Sequence, residues 1–323
     1  MRARRWPLAL VALSALGCNG ESLTRGLTEP IRIDGAQFIE GELPGIPADS
    51  GAAKAESVAK LPSLVSFSSL TIVPPGAVDR GVSGTATRGT VSVGVRFTDL
   101  GDGYWVLPTT TADLFTENEL AWGGLASYAR QPKAGRHELL AVAMDAKGRA
   151  GVQSSLDVCL LPEVPDNGNV CDPSKDPPKL VVSLGWNSPV DLDLRVVTPD
   201  GKIVDAKHPS TALAGEDGKV DPTAEGTGQI LSDSNAGCQL DGQQRESLVF
   251  QARPAPGKYL VYANLFEACD QASVEFTMSV HSSVPIDDHF GQLETLRKSG
   301  GLQAIHANAG ASLGTFLTQF TIE

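Results

Sequence analysis

The chain has 323 residues, 26 Lys and Arg against 38 Asp and Glu, and five cysteines. That length suits about two domains of roughly 150 residues each, and 41% apolar residues suffice for ordinary cores. A formal charge of −12 argues against nucleic acid as a partner, because phosphate binding needs a basic face, and against electrostatic docking on an anionic membrane.

Residues 1–17 have the shape of a secretory signal. Arg2, Arg4 and Arg5 precede an apolar run over 6–13, then small residues, and the run is too short to span a bilayer. Its end, Ala15-Leu16-Gly17-Cys18, resembles a bacterial lipobox, with Ala15 where leucine is usual. The resemblance implies that Cys18 is lipidated and becomes the first mature residue, typically with three lipid chains. The competing reading is an ordinary cleaved signal in which Cys18 takes no part. Removing 1–17 takes away three arginines and no acid, so the charge moves from −12 to −15. No later run stays apolar for ~18 residues, so attachment rests on lipid, which needs more than one chain to hold. Asn19 stands where enteric inner-membrane lipoproteins carry Asp. The expected place is the bacterial cell envelope, as an outer-membrane lipoprotein held to the membrane by its lipid anchor.

Residues 18–60 read as a flexible tether, with Pro30, Pro44, Pro47 and a Gly/Ala/Ser-rich stretch over 49–55. The alternation Ile31-Arg32-Ile33 predicts an edge strand added to the first domain. From 61 to 160 the pattern is β. Strands are predicted over 65–73, 90–98, 104–107 and 137–144, with turns at 74–76, 99–103 and 145–148. Over 90–98, Val91, Val93, Val95 and Phe97 share one face. Residues 135–151 resemble the late strands of an immunoglobulin-like domain, which implies a β-sandwich. Tyr104, Trp105, Trp122 and Tyr128 can serve either as core or as a sugar-stacking surface, and core is the commoner fate of sandwich aromatics.

Residues 161–178 are a linker, because Pro162, Pro165, Pro173, Pro177 and Pro178 forbid helix and central strand. The second domain, 179–323, has strands predicted over 180–186, 191–197, 247–251, 259–266, 272–280 and 315–322. A Gly/Asp/Pro-rich insertion occupies 205–228, and 293–309 is expected to hold a short helix. The fold class is therefore all-β: two antiparallel β-sandwich domains after a signal and a tether. Setting Cys18 aside leaves Cys159, Cys171, Cys238 and Cys269, an even number in an exported chain. Of three possible pairings, Cys159–Cys171 and Cys238–Cys269 are expected, because each pair is read as lying inside one predicted domain. No Cys-x-x-Cys spacing supports zinc.

Three pieces of the second domain occur in order: Gly185-Trp-Asn-Ser-Pro-Val-Asp-Leu-Asp-Leu-Arg-Val-Val-Thr-Pro-Asp-Gly201, Asp233-Ser-Asn-Ala-Gly-Cys238, and Gly257-Lys-Tyr-Leu-Val-Tyr262. They resemble the YfaP-like family of uncharacterised bacterial domains over about residues 180–280. The resemblance implies a β-sandwich, often exported, and carries no activity.

The residues themselves say more. Strand side chains alternate with period two, so Trp186, Ser188, Val190, Leu192 and Leu194 share one face. Asn187, Asp191, Asp193 and Arg195 share the other, which places two like charges roughly 7 Å apart. Calcium takes six to eight oxygens at about 2.3–2.6 Å. Asp191 and Asp193, joined by Asp233 and Asn235 of the Asp-Ser-Asn turn beside Cys238, are the candidate ligands of a structural Ca²⁺. The alternative is that Asp191 and Asp193 pair with Arg195 or Arg245 while Asp233 and Asn235 cap a turn.

Catalytic patterns fail on context. Gly310-Ala-Ser312-Leu-Gly314 matches a nucleophile elbow, but a strand and neither Asp nor His follows it. His137-Glu138 begins a zinc-protease motif, but Ala141 stands where the second His is needed. Asp287-Asp288-His289 reads as a solvated loop. The expected function is a non-catalytic binding or structural module of the cell envelope, with an envelope protein or a glycan as partner. The alternative is a hydrolase, or the accessory domain of one, acting on envelope polymers.

Overall fold

The computed structural model describes residues 26–51, 60–112 and 118–323. The signal segment and Cys18 lie outside the described residues. Among the described residues there is no α-helix, and the architecture is all-β with several antiparallel sheets.

The N-terminal half contains β1 (Ile31–Ile33), β2 (Gln37–Glu40), β3 (Leu64–Ser68), β4 (Ile72–Val73), β5 (Arg80–Thr87), β6 (Thr90–Phe97), β7 (Gly103–Ala112), β8 (Glu119–Tyr128), β9 (Gly135–Asp145) and β10 (Ser154–Leu160). They form one hydrogen-bonded path, β3-β5-β8-β7-β6-β9-β10-β4. The first part of β7 pairs with β6, and its far end pairs with β8. The path thereby folds over, and both arms contribute to one cluster: Val82, Trp122 and Ala126 from one, Val93, Val95, Phe97 and Leu139 from the other. The predicted inward face of β6 is buried except at Val91. That residue is exposed because the pairing with β9 shifts register between Thr90 and Ser92. Trp105, Trp122 and Tyr128 are core residues, and Tyr104 is half-buried.

Ordered β structure reaches back into the stretch expected as tether. β1 pairs with β8 and β2 with β7. Ile31 and Ile33 are buried, and the indole N–H of Trp105 donates to the Ile31 carbonyl at 2.6 Å. Gly124 makes this docking possible, since a Cβ there would sit 2.7 Å from both Ile33 and Leu107. Burial of two isoleucines at roughly 1.5–3 kcal/mol each outweighs the local proline content.

The C-terminal half contains β11 (Leu180–Trp186), β12 (Asp191–Val197), β13 (Ile203–Val204), β14 (Gln229–Ile230), β15 (Arg245–Phe250), β16 (Gly257–Glu267), β17 (Ser273–Ile286), β18 (His289–Gln303) and β19 (Thr315–Ile322). A five-stranded sheet, β14-β15-β11-β17-β18, and a four-stranded sheet, β13-β12-β16-β19, supply a second cluster. Leu180, Val182 and Leu184 from the first meet Leu192, Leu194, Val196 and Val261 from the second. The expected helix over 293–309 is instead β18, paired with β17 over fourteen positions. Only a 3-10 turn, Ala304–His306, is helical there.

Both expected disulfides are present, Cys159–Cys171 and Cys238–Cys269. Residues 161–178 contain no strand. They pack on the second cluster's sheet: Asn169 donates to the Phe290 carbonyl, and Gln292 donates to the Pro165 carbonyl.

Candidate functional site: an acidic cluster on β12

β12 follows the predicted alternation, but neither of its faces is wet. Leu192, Leu194 and Val196 enter the core, while Asp191, Asp193 and Arg195 are only 3%, 5% and 5% exposed. Three loops cover that outer face. The first is the turn through Ser234–Cys238, whose Gly237 N–H donates to Asp191 Oδ2 at 2.7 Å. It takes an unusual path, with Asn235, Gly237 and Cys238 all at left-handed φ, and the bond from Cys238 to Cys269 ties it to the end of β16. The second loop brings Asp205, whose carboxylate lies 3.4 Å from Arg195 Nε. The third brings the Ser312 carbonyl, which accepts from Arg195 and from Asn264. Gly314 serves that third loop, because a Cβ there would collide with the Ala263 carbonyl. The spacing of Gly310, Ser312 and Gly314 thus answers to backbone packing.

Asp191, Asp193 and Asp233 each offer an oxygen within 4.8 Å of the others. Oxygens bound to one calcium at about 2.4 Å lie at most about 4.8 Å apart, so the spacing of the three is compatible with a single ion. Asn235 is placed differently. Its amide donates to the Val190 carbonyl at 3.1 Å and its Oδ1 accepts from Asp241 N–H at 3.4 Å, so its side chain shapes the turn.

Ion pairing accounts for part of the cluster. Arg195 Nη2 lies 3.3 Å from Asp193, and the same guanidinium is shared with Asp205 and Ser312. Arg245 pairs with Glu163 at 2.5 Å and takes no part. Two further residues belong to the site, and the sequence reading does not single them out. Glu246, 1% exposed, accepts from Leu194 N–H at 2.7 Å and Ser234 N–H at 3.3 Å. It braces β12 against the turn that carries Asp233. Alternation carries the signal, since Glu246 falls on the same side of β15 as the core residues Leu248 and Phe250. Asn264 is fully buried opposite Asp193 in the β12–β16 register, and its Oδ1 has no hydrogen-bond partner.

Five carboxylates, of Asp191, Asp193, Asp205, Asp233 and Glu246, thus gather at β12 and the turn beside it, and the one guanidinium, Arg195, pairs with two of them, Asp193 and Asp205. Burial pushes Asp191 up to about 6, helped by repulsion from Asp193, Asp233 and Glu267 and opposed by the Gly237 N–H. Burial also pushes Asp193 up to about 6, against the pull of Arg195. Asp233 is raised by burial and by Asp241 and Asp205. Glu246 is raised well above the carboxylate range by burial, with Asp193 and Asp233 adding to it. Such a group of oxygens suits a hard divalent cation, whose charge would reverse these shifts.

No family model matches the chain, and no curated protein matches it. Among solved structures, it is similar to Rst D1-D2 at 10% identity and a TM-score of 0.21, covering 73% of this chain and 97% of that one. It is also similar to the C-terminal domain of the Streptococcus agalactiae AgI/II polypeptide BspA, at 10% identity and 0.21, covering 74% and 98%. A third is the endo-fucoidan hydrolase MfFcnA4, at 12% identity and 0.20, covering 78% of this chain and 30% of that one. At these scores the likenesses carry no argument about function.

Proposed function

We propose that the protein is an exported, lipid-anchored component of the bacterial cell envelope. It acts as a non-catalytic binding or structural module, and a Ca²⁺ ion completes its C-terminal sandwich. Asp191, Asp193 and Asp233 hold the ion, and the unpartnered Oδ1 of Asn264 lies on the same face of the sheet. The observation that carries this reading is the charge balance on β12. Buried carboxylates outnumber the single buried guanidinium, and uncompensated buried charge is among the costliest features a fold can keep. Two disulfides support an oxidising, extracytoplasmic setting. The lipobox resemblance at Cys18 supports the anchor, and the YfaP-like resemblance supports an exported sandwich.

The test is calorimetric melting of the purified protein with EGTA and with excess Ca²⁺. Excess ligand at about 100 times its Kd adds about 2.7 kcal/mol, so a clear rise in Tm with Ca²⁺ is expected. Equal melting temperatures in the two buffers would exclude the cation.

A further inference from the structure

β18 is one margin of the five-stranded sheet, and no strand among the described residues pairs with its outer side. It is 15 residues long, against a usual length of about 5–6. Such an edge offers a row of unused N–H and C=O groups, which makes it a template for another strand.

The pairing of β17 decides which groups of β18 face outward. Successive residues of an antiparallel strand turn their backbone groups to alternate sides. On β17 the odd-numbered residues bond toward β11: Ser283 N–H donates to the Lys179 carbonyl at 3.2 Å, and the Glu275 carbonyl accepts from Asn187 N–H at 3.1 Å. The even-numbered residues therefore bond to β18, where their partners are Gly291, Leu293, Leu296, Lys298, Gly300 and Leu302. Phe290, Gln292, Glu294, Arg297, Ser299 and Gly301 turn their backbone groups outward. The step from Glu294 to Arg297 is longer than the others because the register shifts beside Val280, with Thr295 as the extra residue. The Phe290 carbonyl already accepts from Asn169 of the linker at 2.8 Å, so the open stretch begins at Gln292.

The bulge makes the outward set symmetrical about a centre between Thr295 and Leu296. A second copy of β18 laid antiparallel about that centre matches every outward residue with an outward residue. Glu294 then faces Arg297 of the second copy, and Gln292 faces Ser299. On the core side of the same pairing, Leu293, 53% exposed, faces Lys298, whose methylene stem can cover it. A register centred on Glu294 or on Arg297 would instead oppose that residue with itself, and like charges directly opposite repel. Bulges and charges usually blunt an edge. Here the charges are of both signs at mirror-related positions, so they select one register. Within the chain, Arg297 holds Glu294 through Nε at 2.8 Å and Nη2 at 2.6 Å, which leaves Nη1 for a second carboxylate.

We propose that the chain forms a two-fold dimer by antiparallel pairing of β18 with β18 of a second copy, which joins the two five-stranded sheets into one. The proposal goes beyond the envelope reading and rests on neither the cation nor the lipid. Its test is sedimentation velocity of the purified protein with a charge-swap pair. The parent should show a concentration-dependent dimer. Glu294→Lys alone and Arg297→Glu alone each set like charges face to face at both ends of the pairing. Each should weaken the dimer about tenfold or more. An equal mixture of the two variants should recover it, because each altered position then faces its opposite. Ser299→Pro removes an outward N–H and no bond to β17, so it should abolish the dimer while circular dichroism stays that of the parent. A monomeric parent at about 100 μM, variants that associate as the parent does, or a mixture no tighter than the single variants would each overturn the proposal. Association through the lipid would be untouched by the swap, and so would count against it.

Discussion

A buried carboxylate that faces other carboxylates is held in place by what it accepts. Glu246 accepts the Leu194 and Ser234 N–H groups, and the alternation of β15 places it among core residues. Replacing it with alanine leaves two buried donors unpaired, so Glu246→Ala is expected to cost roughly 2–5 kcal/mol in urea unfolding. Asp191 offers a test of sign. In chelator its folded pKa, about 6, lies above the ordinary value near 3.8. The folded state then binds more protons between those limits, so this group's contribution is full below about pH 4 and lost as pH rises through about 6. Asp191→Asn, which keeps an acceptor for Gly237, is expected to stabilise the chelated protein by roughly 1–3 kcal/mol at pH 7. The gain should vanish near pH 4. With Ca²⁺ present the same substitution should instead destabilise, because a ligand charge is gone. Chemical denaturation of the variant at the two pH values, with and without EGTA, checks both signs.

At the scale of elements, the turn carrying Asp233 depends on its tie to β16. The Cys238–Cys269 bond spans 31 residues, and chain entropy sets its worth at about 3.7 kcal/mol. Cys238→Ser with Cys269→Ser should therefore lower stability by that order and also weaken Ca²⁺ binding, while loss of Cys159–Cys171 should leave Ca²⁺ binding unchanged. Calcium titrations of the two double variants separate these outcomes. Sequence periodicity locates β11, β12 and β19 to the residue, because each runs between a clear turn and a clear alternation. It misses β5, a polar and Gly-rich strand whose only apolar anchors are Val82 and Ala86. It misreads β18 because Leu293, Leu296 and the Glu294–Arg297 pair mimic helical spacing, whereas pairing along β17 decides the outcome. The acidic pair on β12 is legible in the same way. Its burial is not, because Asp205 and Ser312 reach it from loops with no periodic pattern.

At the scale of the molecule, the proposed function joins a lipid at Cys18 and a bound cation to an acidic body. Cys18→Ser is expected to move the protein from the membrane to the soluble fraction and to abolish labelling by a fatty-acid probe. Retention on the membrane would contradict the anchor. The proposed cation site depends on the cluster on β12, whose carboxylates come together only when both sheets and the disulfide-bound turn are in place. Titration calorimetry of Ca²⁺ into chelator-stripped protein tests it most directly. A single saturable site that disappears in Asp193→Asn is the predicted result. No binding heat from a folded, disulfide-bonded protein at about pH 7.5, well above the raised carboxyl pKa values near 6, would contradict it.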